Sequence, residues 1–115
     1  MSLREQILAA DDLAVEYVDV PQWQCKVGIR CMTAAERDAF EGSCLDSHLK
    51  ATKLSNVRAR LVCLTAVDEA GKRIFTSDDA DALGTRSGAV MDRLFEIAQR
   101  VNGLSRADVD DLEKN

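Results

Sequence analysis

Between Ser87 and Asn102 the apolar positions recur with a helical period. At 100° per residue Val90, Met91, Leu94, Phe95, Ile97, Ala98 and Val101 share one arc, while Asp92, Arg93, Glu96, Gln99 and Arg100 fill the opposite one. The pattern predicts an amphipathic helix over about 87–102, packed on a core and stopped by Gly103. A second helix is predicted over about 55–67, where Leu54, Val57, Leu61, Val62, Leu64, Ala66 and Val67 spread almost all round the axis, as in a helix buried at the centre of a domain. Between Val15 and Cys31 the period changes to two. Val15 and Tyr17 alternate with Glu16, Val18 and Val20 up to Pro21, and Cys25, Val27, Ile29 and Cys31 then alternate with Lys26, Gly28 and Arg30. These runs predict an antiparallel β-hairpin over about 14–31, turning at Pro21, Gln22 and Trp23. Two strands alone are marginal in water, so the hairpin has to pack on helices or on another subunit.

Capping patterns supply the remaining elements. Ser2 with Glu5, and Thr33 with Glu36, have capping-box spacing and open helices over about 3–10 and 33–45. The run 68–72 reads as a helix stop and turn leading into an extended Arg73-Ile74-Phe75. Ser77 is expected to cap a brief acidic helix over about 78–84, and Ser105 a last one over about 106–114. The expected fold is α+β: a mostly helical single domain spanning 1–115, with an N-terminal antiparallel β-hairpin packed on about four to six helices.

Composition narrows the functional classes. With 115 residues, 46% of them hydrophobic, the chain supports one modest core. Its longest apolar stretch, from Leu61 to Val67, falls far short of the roughly 20 residues of a membrane span, and the N-terminal run lacks the basic start, long apolar run and small-residue cleavage site of a secretory signal. A cytoplasmic protein with no membrane partner is expected. The net charge is −5, but it is unevenly spread, and the cations Lys50, Lys53, Arg58 and Arg60 cluster near the middle. Such a cluster meets a phosphate or an acidic protein surface, or is simply a solvated face. The acidic total disfavours nucleic acid as the main partner, which leaves a small nucleic-acid-binding or regulatory adaptor using this cluster as the rival functional reading. Trp23, at the hairpin tip, either joins an association surface or covers its own core.

No cofactor and no catalytic or metal site is expected. Cys25, Cys31, Cys44 and His48 are four potential zinc ligands in order, but the first two, on one strand, would lie about 20 Å apart at about 3.3 Å per residue. The same separation forbids a disulfide between them, so reduced, structural cysteines are expected. His48, the one histidine, stands in a polar stretch with no nucleophile-elbow motif. The acids at Asp79 and Asp81 fail as a calcium loop, having Leu83 where an oxygen ligand belongs.

Taken in order, the segments 32–41 (MTAAERDAFE), 58–62 (RARLV), 67–75 (VDEAGKRIF) and 94–105 (LFEIAQRVNGLS) resemble the tail assembly chaperones of bacteriophages with long, non-contractile tails. The resemblance covers roughly 14–113, and its specificity lies in the succession of elements, each motif alone being a generic helix or turn signal. It implies a non-enzymatic role in morphogenesis: coating the tape measure protein, helping to recruit tail tube subunits, and acting as a homo-oligomer in the host cytoplasm. The candidate protein-interaction residues are Trp23, Lys50, Lys53, Arg58 and Arg60.

Overall fold

The computed structural model describes residues 2–45 and 56–104, without the side chains of 43–45. The N-terminal helix α1 spans Leu3–Leu8, two residues shorter than expected. Its cap is as predicted: the Glu5 N–H donates to Ser2 Oγ at 3.1 Å, and the Ser2 hydroxyl in turn donates to the Glu5 carboxylate. Strands β1 (Val15–Val20) and β2 (Cys25–Arg30) form the hairpin, joined by a 3₁₀ turn over Pro21–Trp23 and by Gln24 in the left-handed region. Val18 pairs with Val27 and Glu16 with Ile29.

The sheet has one strand more than the sequence pattern predicts. The helix expected over 55–67 is α3, Val57–Thr65, and Ala66–Val67 leave it to form β3, which pairs antiparallel with Ile29 and Gly28. Both residues are fully buried. In a short apolar run the helical and strand readings are not separable by periodicity, and here sheet pairing decides the last two residues. The turn after β3 is as expected, with Asp68 Oδ1 accepting from the Ala70 and Lys72 N–H groups and Gly71 in the left-handed region. Arg73 then forms a single bridge back to Val67.

The strand order is β1-β2-β3, and α3 and α5 (Gly88–Val101) pack on one face of this sheet. Val18, Val20, Val27, Ile29 and Ala66 meet Leu61, Val62, Leu94 and Ala98 there, which makes α3 the buried centre and gives α5 the amphipathic face read from its period. The hairpin's inward set is therefore Val18, Val20, Val27 and Ile29. Cys25, which the alternation predicts on the buried face with Val27 and Ile29, is exposed at the turn end of β2 although it pairs with the buried Val20, and Cys31 is half-buried just past the strand.

Helix α2, Ala34–Leu45, opens with the predicted capping box: Glu36 N–H donates to Thr33 Oγ1 and the Thr33 N–H to the Glu36 carboxylate. The cap of the short helix α4 (Ala80–Leu83) is shifted. A 3₁₀ turn over Ser77–Asp79 precedes it, and Thr76, not Ser77, forms a capping box with Asp79. The helix expected over 106–114 lies outside the described residues.

Candidate functional site

Among the described residues, the proposed interaction residues Trp23, Arg58 and Arg60 do not converge on one surface. Trp23 is half-buried and packs against the core from the hairpin tip, so its ring covers its own domain. Arg58 and Arg60 leave α3 on opposite sides, two residues being 200° apart on a helix. Arg58 reaches α5, with Nε 2.9 Å from Asp92 and the guanidinium 5.5 Å from the Phe95 ring. Arg60 reaches α2 and stands 5.9 Å from the Phe40 ring. Each thus ties α3 to a neighbouring helix. Lys50 and Lys53 lie outside the described residues, as does His48.

An open groove of about 590 Å³ runs between α2, α3 and the segment 73–81. Phe40, Cys63, Leu64 and Ala80 are among its apolar lining, and Glu36, Arg60, Arg73 and Asp78 among its polar lining. Burial pushes the Cys63 thiol up, with the Asp79 charge adding to it and Arg73 opposing, so Cys63 stays a protonated thiol at neutral pH. The Arg73 guanidinium is also held by the Cys63 carbonyl at 3.2 Å. Among the described residues no three His, Cys, Asp or Glu side chains gather in metal-binding distance, and no helix is long and apolar enough to cross a membrane.

Apart from Ile74, the large apolar side chains exposed among the described residues fall in two features. In α1 Leu3, Ile7 and Leu8 are 71%, 62% and 69% exposed, and no residue of the helix is buried. Leu3 and Ile7 lie one turn apart on the same side. Strand β1 is an edge of the sheet, and on its outer face Val15 and Tyr17 are 37% and 44% exposed. The Tyr17 ring lies across Gly28, where any Cβ would stand 2.8 Å from its Cε1, and the hydroxyl reaches the Asp68 and Glu69 carbonyls at 3.4 Å. The capping box located α1 and the alternation located β1. That they lack cover could not be read from either, since an amphipathic helix and an alternating strand are ordinarily buried on one side; the only cue was the polar Asp11-Asp12 pair between α1 and the hairpin.

A family model described as phage tail assembly chaperone matches residues 2–115. A solved structure entitled "Structure of bacteriophage HK97 tail assembly chaperone" shares the fold with a TM-score of 0.62 and 18% sequence identity, over 89% of this chain and 95% of the other. No curated protein sequence matches.

Proposed function

The chain belongs to the phage tail assembly chaperone family, and on that premise we propose that it coats the tape measure protein during tail assembly and helps to recruit tail tube subunits, acting as a homo-oligomer in the host cytoplasm. Family membership makes the role non-enzymatic and its partners tail proteins. The chemistry is then surface burial: a long helical client exposes apolar stripes before the tube encloses it, and such stripes aggregate unless covered.

The observation that carries this reading is α1. A six-residue helix that buries nothing is marginal by itself in water, yet this one is capped at its N-terminus by Ser2 and presents Leu3, Ile7 and Leu8 to solvent. An apolar helix stripe on the client fits that face, in the way amphipathic helices pair along i, i+4 anchors. Many copies, each binding modestly, would hold the client and still release it when tube subunits arrive.

Co-expression with the tape measure protein of the same phage, followed by affinity capture, tests the proposal. The tape measure protein is expected to be soluble and co-purified with the chain. Ile7→Asp should cut its recovery at least about ten-fold, since a carboxylate then meets an apolar face. It should leave the melting curve in place, because Ile7 is 62% exposed. A tape measure protein equally soluble without the chain would overturn the coating role.

A further inference from the structure

We propose that two copies of this chain join edge to edge through β1, pairing antiparallel about a two-fold axis at Tyr17, so that their sheets become continuous. The inference rests on the self-association included in the proposed function and assigns it a surface.

The hydrogen-bond phase of the sheet fixes which groups are available. Cys31 N–H donates to the Ala14 carbonyl at 2.8 Å, which makes 14 and 31 a hydrogen-bonded pair; by alternation Glu16, Val18 and Val20 also point their amide groups at β2. Val15, Tyr17 and Asp19 therefore point theirs away from the sheet, along an edge that no described strand covers. An open row of donors and acceptors of this kind is a template for another strand. Val15 and Tyr17 are also two of the six large apolar side chains left exposed among the described residues.

Side-chain complementarity selects a second β1 in one register. Centred on Tyr17, the pairing sets Tyr17 against Tyr17 of the other copy, Val15 against Asp19, Glu16 against Val18 and Ala14 against Val20, with roughly six new backbone hydrogen bonds. On the outer face Asp19, which already faces Lys26 across the hairpin, would stand in a row with Val15 and Arg30 of the second copy, because Val15 faces Arg30 within each hairpin. Each aspartate then keeps Lys26 beside it and has an apolar valine, not an acid, opposite. Slipping the register by two residues in one direction brings Glu16 against Glu16. The other direction runs the pairing into Pro21, which has no N–H to give. Each Tyr17 ring leans back over its own Gly28, its hydroxyl at the Asp68 and Glu69 carbonyls, so the backbone at the axis is left open for pairing.

Sedimentation velocity over a concentration series tests the pairing. The wild-type chain is expected to dimerise. Val15→Asp, which places a carboxylate opposite Asp19 twice per dimer, should weaken the dimer about ten-fold. Adding Asp19→Asn to Val15→Asp should restore most of the loss, as only this register predicts. Val15→Pro removes an outward N–H that the hairpin does not use, so the fold should persist, checked by its melting curve, while the dimer disappears. Self-association unchanged by Val15→Asp and Val15→Pro would overturn the edge pairing and leave a coating oligomer standing on another surface. A wild-type chain that stays monomeric throughout would overturn the self-association as well.

Discussion

Glu36 shows how much one carboxylate can be asked to hold. It accepts from both the Thr33 N–H, closing the α2 capping box, and Arg30 Nη2, at 2.7 and 2.9 Å to its two oxygens. Burial alone would raise its carboxyl, but the Thr33 and Arg30 hydrogen bonds and the Arg30 charge outweigh it, and the net shift is downward from the ordinary 4.5. A carboxyl with a lowered native pKa stabilises the fold above its unfolded value, and that contribution is lost as the pH falls through the native one. Glu36→Gln should therefore cost about 1–3 kcal/mol at pH 7, because Arg30, whose Nε is buried without a partner, loses its counter-charge. The gap between wild type and variant should close as the pH is lowered below 4.5; denaturant melts across the acid range would show it, and a gap independent of pH would contradict the assignment. The capping box at Thr33 and Glu36 was legible in the sequence because its spacing is local. Arg30 was not, since its approach to Glu36 follows from the way β2 leads into α2.

At the scale of elements, the link that sequence patterns miss is Asn102. It stands at the C-terminal cap of α5 and is buried; its Nδ2 donates to the Ala98 carbonyl and its Oδ1 accepts from the Met32 N–H at 2.6 Å. The Asn102 carbonyl in turn accepts from Arg37. One amide thus fastens the end of α5 to the junction of β2 and α2, 70 positions away in the chain. Asn102→Ala would strand a buried N–H at Met32 and is expected to destabilise the domain by about 1–3 kcal/mol, measured by urea unfolding. A loss below about 0.5 kcal/mol would mean that water replaces the side chain. The helical periods of α3 and α5, the alternation in β1 and β2 and the turn at Gly71 were all readable, because each depends on neighbours within a few positions. The pairing of Ala66–Val67 with β2, the exposure of Cys25 and the partners that Arg58 and Arg60 reach were not, because tertiary contacts decide them. In the same way the basic cluster was legible as charge, but not as two guanidiniums spent on tying α3 to α2 and α5.

For the whole molecule the consequence is a division of labour between a packed body and an arm. The core runs from the hairpin to Leu104 and includes no residue of α1. Residues 9–12, between that helix and the hairpin, are exposed, whereas Leu13 is half-buried and the Ala14 carbonyl is bonded to Cys31. Stability and client contact should then be separable by truncation. Deleting residues 2–12 removes every apolar side chain of α1 and no core residue, so the melting temperature of the body should move by no more than about 2 °C, against several degrees per kcal/mol for a domain of this size. The same deletion should abolish retention of the tape measure protein. It should also leave the dimer intact, because Val15, Tyr17 and Asp19 are kept, and a dimer that forms only from folded chains makes the melting temperature rise with concentration in full-length and truncated protein alike. Scanning calorimetry at two concentrations, on both proteins, reads all of this together. A truncated body that melts far lower would place α1 in the core. One that melts in place but loses its concentration dependence would move the self-association surface from β1 to the arm.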